Sequence, residues 1–439
     1  MSFKITFIGA GSIGFTRRLL SDILSVPEFS DIRIAFTDIN EYNLGMVQQL
    51  CQRDIDANGL NIKIESTTDR REALKDAKYI INCVRIGGLE AFATDINIPL
   101  KYGIDQCVGD TLCMGGIMYG QRGISAILDF CKDIREVSAP DAILLNYANP
   151  NAMLTWAANT YGGVNTIGLC HGIYYSYEQI AKALGIPIEE LDITCAGINH
   201  MTWFISVKHK GEDMTGKILA AYENDPELRK IEKTRIEVLR NFGYYSTETN
   251  GHLSEYLPWF RKRADKIFDW IDLTTWSKGE TGGYLRYTEE SRNWFETDFP
   301  KWFDEEPWRF APDDRSIEHG SYIIESLETG RVYRCHINVI NRGYIPNLSD
   351  GIIVELPTFV NQFGLKPQFM GNLPAGIAAK CEALGREYDL LVDAAIGRDR
   401  RLARQAMYLD PLCANCDDPD GLLEAMIREN LPLLPGGWR

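Results

Sequence analysis

The sequence predicts an α/β fold: a doubly wound parallel sheet followed by an α+β domain. Two observations predict it. Over residues 1–195, short apolar runs alternate with stretches of helical spacing, as in a parallel sheet with crossover helices. Inside that pattern, Gly9-Ala10-Gly11-Ser12-Ile13-Gly14 follows a strand-like run and opens a helix-like one. Residues 196–439 follow a different pattern and are read as the second domain.

Residues 3–9 are short, apolar and closed by glycine, which reads as a buried strand. Helical spacing follows in Phe15, Leu19, Leu20, Ile23 and Leu24. A second strand at 32–37 is closed by Asp38, and Leu44, Val47 and Leu50 mark the next helix. Then come a strand near 62–64, a short helix near 71–75 and a strand at 79–84. A helix around 123–137 and a strand at 142–147 continue the alternation, which reaches Ile167-Gly168-Leu169 and fades near residue 195. Residues 284–315 are rich in Trp, Glu, Asp and Arg and read as irregular or short helical structure. Residues 332–340 and 351–356 read as antiparallel strands, and a long helical stretch covers 374–407.

Composition narrows the function. At 439 residues the chain is long enough for two domains, and 45 % hydrophobic with 24 % charged residues is a globular balance. A formal charge of −15 argues against nucleic acid, whose phosphates need clustered Lys and Arg. No apolar run approaches the roughly 20 residues of a membrane span. The first residues enter a strand without a leader pattern, so the eleven cysteines read as reduced thiols in a cytoplasm. The CxxC of Cys413 and Cys416 has no second copy and reads as incidental.

The glycine loop carries a specific chemistry. Gly9 permits a tight turn, Gly11 admits a pyrophosphate close to the backbone, and Gly14 allows close helix–strand packing. Ser12 and Ile13 lie at the helix start, where free N–H groups and the helix dipole favour anions. Asp38, 24 residues after Gly14, would accept hydrogen bonds from a ribose 2′-OH, which favours NAD over NADP. The alternative is a glycine turn without a ligand. The unit 1–195 is therefore expected to be a Rossmann-type NAD-binding domain.

Cys170 and His200 each follow an apolar run, with 29 residues between them. Thiolate and imidazole suit a borderline-soft divalent ion. On spacing alone, a buried cysteine and a core histidine explain them as well. Two protein ligands leave room for substrate oxygen or water, as a catalytic metal requires.

At these residues the chain resembles glycoside hydrolase family 4, the NAD- and divalent-metal-dependent glycosidases. The resemblance spans nearly the full length. It is carried by the loop at 7–12, by Val108-Gly109-Asp110-Thr111 with Gly115-Gly116-Ile117, and by Asn146-Tyr147-Ala148-Asn149-Pro150. It continues through Gly168-Leu169-Cys170-His171, Ala196–Met201 and Asn347-Leu348. The third glycine, Gly14, departs from many family members and lies closer to the general dinucleotide pattern. The resemblance implies a lactate/malate dehydrogenase-like C-terminal half, with 196–439 serving substrate, metal (Mn2+ or another divalent ion) and assembly into a homodimer or homotetramer.

The resemblance also implies a chemistry, one that stands outside the usual two-carboxylate cleavage of glycosides. NAD+ would take hydride from sugar C3, a base would remove the now acidic C2 proton, and the leaving group would depart from C1. Water addition and return of the hydride make the net reaction hydrolysis. Cys170 and His200 match the metal ligands, and Cys170 and Asn149 sit where substrate hydroxyls are held, although Asn149-Pro150 could also be a simple turn. Asp110 matches an acid/base or supporting position, with a helix cap as the alternative. For the C2 base, phospho-sugar members use a tyrosine where this chain has His252, with Tyr256 nearby. His252 is slightly favoured, since histidine titrates near neutral pH without help. Either could instead make a structural hydrogen bond.

Cys170-His171-Gly172-Ile173 resembles the members that act on unphosphorylated α-glycosides, with His171 as leaving-group acid or substrate anchor. The stretch around Thr247-Glu248, His252 and Trp259-Phe260 looks most like α-galactosidases; α-glucosidases and α-glucuronidases or α-galacturonidases share the Cys-His-Gly form. A uronate would need an arginine such as Arg85 or Arg286. Tyr174, Tyr175, Trp203 and Trp259 are candidate sugar platforms or core residues. Competing classes are a plain NAD-dependent sugar or hydroxy-acid dehydrogenase, which would not need Cys170, and a catalytically silent NAD-binding regulator.

Overall fold

The computed structural model describes residues 2–261, 265–291 and 294–438. Among the described residues, thirteen strands form one sheet. The first six are β1 (Lys4–Ile8), β2 (Arg33–Thr37), β3 (Ile64–Thr67), β4 (Tyr79–Asn82), β5 (Ile143–Asn146) and β6 (Asn165–Gly168). They run parallel in the order β3-β2-β1-β4-β5-β6, the doubly wound arrangement. Helices α1 (Ile13–Leu24), α2 (Glu41–Ala57), α3 (Arg70–Leu74), α4 (Gly88–Lys101), α5 (Cys113–Val137), α6 (Asn151–Thr160) and α7 (Gly172–Leu184) connect and cover them. β1 and β4 are buried at every residue, which is why they read as unbroken apolar runs.

The remaining strands are β7 (Leu191–Ile198), β8 (Met201–His209), β9 (Glu212–Asp213), β10 (Tyr245–Ser246), β11 (Tyr333–Ile340), β12 (Ile353–Asn361) and β13 (Gly364–Pro367). They extend the same sheet antiparallel: β11 joins β6 through Asn338 and Gly168, and β12 joins β7 through Glu355 and Gly197. Gly168 is required at the first joint, because a Cβ there would lie 2.0 Å from Asn151 Oδ1 and 2.8 Å from Asn338 Cβ. Residue 195 falls inside β7, and the sheet continues across it.

Several sequence-based boundaries move. The hairpin β7–β8 stands where the pattern fades: next to its turn, Cys195–Ile198 and Met201–Phe204 are buried on both faces and show no alternation. α5 begins ten residues before 123, at Cys113, because two glycines, Gly115 and Gly116, hide its first turn; a Cβ on Gly116 would meet the Thr111 backbone at 2.4 Å. The stretch 374–407 breaks at Arg398, whose φ of +55° ends one helix before Asp399 caps the next. Residues 284–315 hold short helices, Gly283–Glu290 and Phe299–Asp304 among them; Arg292 and Asn293 lie outside the described residues. No helix among the described residues is long and apolar enough to cross a membrane.

Candidate active site

The glycine loop leaves β1 under tight steric control. Gly9 has φ +87°, and a Cβ there would stand 2.9 Å from Val84 Cγ1 and 3.1 Å from the Cys83 backbone. A Cβ on Gly11 would stand 2.9 Å from Asp38 Oδ2. That oxygen accepts the Gly11 N–H at 2.9 Å and the other accepts the Asn40 N–H at 2.9 Å, fixing the carboxylate beside the loop. α1 then starts at Ile13 with no side-chain cap from Ser12 and no acid in its first turn. Gly14 departs from expectation: a Cβ there meets nothing within 4 Å, so it does not serve helix–strand packing. An exposed, acid-free helix start beside a fixed carboxylate fits the pyrophosphate and ribose of a dinucleotide.

A cavity of about 680 Å3 begins where this loop ends; Phe15, one residue past Gly14, forms part of its wall. It lies at the carboxyl ends of the parallel strands. Asn149 follows β5, and Cys170 and His171 follow β6. His200 enters from the two-residue turn that closes the β7–β8 hairpin, with φ +63°.

Cys170 Sγ stands 3.4 Å from His200 Nε2. On the other side of the ring, Nδ1 stands 3.1 Å from Thr111 Oγ1, whose hydroxyl donates to Asp110 Oδ1 at 2.9 Å. With its proton given to Asp110, the Thr111 oxygen accepts from Nδ1–H and leaves the Nε2 lone pair facing Cys170. Burial pushes His200 below its ordinary pKa, so the ring is neutral. Burial, followed by the Glu355 and Glu248 carboxylates, pushes the Cys170 thiol well up, so a thiolate there needs a cation beside it. Donor atoms of His200, Glu248 and His252 lie within 4.8 Å of one another. This donor set fits a borderline-soft divalent ion.

Asp110 is 1 % exposed and held from three sides: Arg85 Nη2 at 3.1 Å, Asn149 Nδ2 at 3.3 Å and the Thr111 hydroxyl. The cap of α5 is Leu112, so Asp110 is not a helix cap. His252 lies on the helix Asn250–Tyr256, with Nδ1 2.9 Å from Glu248 Oε2. Burial pushes its pKa down, but the Glu248 hydrogen bond and charge outweigh this and leave it raised. Tyr256 is a correction: it is 2 % exposed in the apolar core, forms no part of the cavity wall, and burial pushes its phenol well up. Its ring packs edge-on against that of His252, one turn away, at 5.2 Å, and stands behind His252 on the core side of the cavity wall.

His171 opens α7, with Nδ1 3.1 Å from Glu318 Oε1. Burial opposes its protonation, and the Glu318 hydrogen bond and charge overcome that to raise its pKa. Sequence reasoning assigned no role to Thr111, Glu248 or Glu318. Glu248 stands four residues before His252 but ahead of the helix, whose cap is Thr249, so only its closeness in sequence pointed to it; Glu318, 147 residues beyond His171, left no such signal.

The candidate uronate arginines are engaged. Arg85 is bound to Asp110 and packs over Phe92, while Arg286 is bound to Glu280 and Glu290. Among the described residues, the wall carries no Lys or Arg. Of the candidate platforms, Tyr175 lines the cavity; Tyr174 and Trp259 do not, and Trp203 is wholly buried.

Comparison with known proteins agrees with this geometry. Residues 4–186 match the model of the family 4 glycosyl hydrolases, and residues 195–413 match the model of their C-terminal domain. An α-galactosidase of Rhizobium meliloti (strain 1021) is 55 % identical over 420 residues, covering 95 % of this chain and 86 % of the relative. An α-galactosidase of Bacillus subtilis (strain 168) is 34 % identical, covering 93 % of each chain. A crystal structure of a 6-phospho-α-glucosidase from gut microorganisms, in complex with NAD and glucose-6-phosphate, superposes with a TM-score of 0.81 at 25 % identity and 99 % coverage of each chain.

Proposed function

We propose that this chain, which belongs to glycosyl hydrolase family 4, hydrolyses unphosphorylated α-galactosides with the help of NAD and a divalent metal ion such as Mn2+. The observation that carries this reading is one cavity walled both by the first turn of the glycine-loop helix and by the Cys170–His200 pair. The galactoside specificity is supported by the two α-galactosidase relatives at 55 % and 34 % identity. A wall without Lys or Arg among the described residues supports an uncharged sugar over a phosphate or a uronate.

Gly9, Gly11, Ser12, Ile13 and Gly14 would hold the dinucleotide and Asp38 its ribose. Cys170 and His200, with Glu248 beside them, would hold the metal. When bound, the two groups supply reversible hydride removal from a sugar carbinol and polarisation of the adjacent oxygens, which makes the neighbouring C–H acidic. The protein's own side chains then manage the protons. His252, oriented through Nδ1 by Glu248, receives the C2 proton on Nε2. His171, kept protonatable by Glu318, gives a proton to the departing glycosidic oxygen. Asn149 anchors substrate hydroxyls, and Asp110 acts behind His200 through Thr111.

Hydrolysis of aryl α-galactoside, α-glucoside and α-glucuronide in D2O, with and without NAD+ and Mn2+, tests the proposal. Galactoside cleavage that needs both additions and leaves deuterium at C2 supports it. Cleavage without them, or NADH accumulating without cleavage, overturns it.

A further inference from the structure

The cavity has a second zone that the chemistry above does not use. Asp110, His200 and His252 are buried at its deep end, whereas Tyr175 and Tyr287 stand at its mouth, 53 % and 49 % exposed. They come from separate elements, Tyr175 from α7 and Tyr287 from the helix Gly283–Glu290. Neither is needed for the core, and each is braced from behind. The Tyr175 ring meets His171 edge-on at 5.1 Å. Tyr287 lies nearly parallel to Tyr284, at 6.3 Å and 14°, and Tyr284 packs on Trp276 at 5.3 Å.

We propose that Tyr175 and Tyr287 form a clamp for a second sugar ring on the leaving-group side, so that the preferred substrates are galactosyl oligosaccharides and not simple alkyl galactosides. This deepens the α-galactosidase reading and rests on it. An exposed phenol ring presents a flat apolar face on which the C–H face of a hexose can be buried, while its hydroxyl stays solvated. Tyr175 is braced by His171, the residue assigned to the departing oxygen, so the clamp begins where the leaving group emerges. Glu178, on the same helix and on the wall, offers an acceptor for the hydroxyls of that second ring.

The test compares kcat/KM for an α-galactosyl-hexose disaccharide with that for methyl α-galactoside, in wild type and in Tyr175→Ala, Tyr287→Ala, Tyr175→Phe and Tyr287→Phe. The ratio is expected to fall about tenfold in each alanine variant and to be kept by phenylalanine, which preserves the ring face. An unchanged ratio in the alanine variants overturns the clamp while leaving the galactosidase reading intact. Saturation-transfer NMR gives a readout independent of turnover: transfer from aromatic protons to the second hexose is expected in wild type and lost in the double alanine variant. Its absence in wild type also overturns the clamp. Failure of wild type to cleave either glycoside would instead remove the galactosidase reading.

Discussion

Thr111 and His200 are joined at 3.1 Å between Oγ1 and Nδ1, and this bond decides which nitrogen of His200 faces Cys170. Valine at 111 keeps the shape but cannot accept the Nδ1 proton, so the ring is free to present either tautomer. Thr111→Val is expected to weaken Mn2+ binding by about 10–100-fold, with Thr111→Ser restoring most of it. Calorimetric titration of the metal measures this directly, and unchanged affinity in the valine variant would separate Thr111 from the site.

Gly11 and Gly14 are expected to respond differently to alanine. At Gly11 the new Cβ would press on Asp38 Oδ2 at 2.9 Å, disturbing both the turn and the carboxylate. At Gly14 the space is open within 4 Å and the residue is already helical, so alanine should raise stability by about 0.5–1 kcal/mol. NADH titration by fluorescence should show lost affinity in Gly11→Ala; both variants losing affinity at unchanged stability would mean that the nucleotide occupies the space over Gly14.

His252 and Tyr256 share one helix but not one role. His252→Ala is expected to lower kcat by roughly 100- to 10,000-fold, the range for loss of a proton-transfer group. Tyr256→Phe keeps the core packed and should leave turnover within a few-fold of wild type. Steady-state kinetics on one galactoside decides between them, and the reverse ranking would return the base to Tyr256.

Glu355 is a buried carboxyl at the β12–β7 joint, accepting from Thr202 at 2.7 Å and Asn338 at 3.1 Å. Burial, with a contribution from Glu248, pushes it from 4.5 up to about 7. A carboxyl whose folded pKa is raised stabilises the fold fully below the unfolded value and loses that contribution as pH rises through the folded one. Thermal unfolding of metal-free protein should therefore show Glu355→Gln gaining on wild type between pH 4.5 and 7, by about 3 kcal/mol above that range. Parallel pH profiles for the two proteins would show that Glu355 is ionised in the fold already.

Much of the nucleotide half was legible in the sequence. Buried parallel strands are short apolar runs, and the glycine loop and Asp38 sit at their ends, so the alternation exposes both. The resemblance brought out Cys170, His200 and His252, and the structure brings all three to one cavity. The hairpin β7–β8 was illegible because the halves of its strands next to the turn are buried on both faces, and the break at Arg398 because nothing local announces a positive φ at an arginine.

What the sequence by itself determined is therefore what depends on local order: strand, turn, helix, and the residue types that suit a dinucleotide and a soft metal. Tertiary structure alone decided which groups act together. Thr111, just before α5, reaches the hairpin turn at His200 across 89 positions, and Glu318, at the start of the helix His319–Thr329, reaches His171 across 147. It also decided that Tyr256 faces the core and that Tyr175 and Tyr287 share the mouth of one cavity. No periodicity records such meetings, because they are set by packing between elements and not by the order of residues within one.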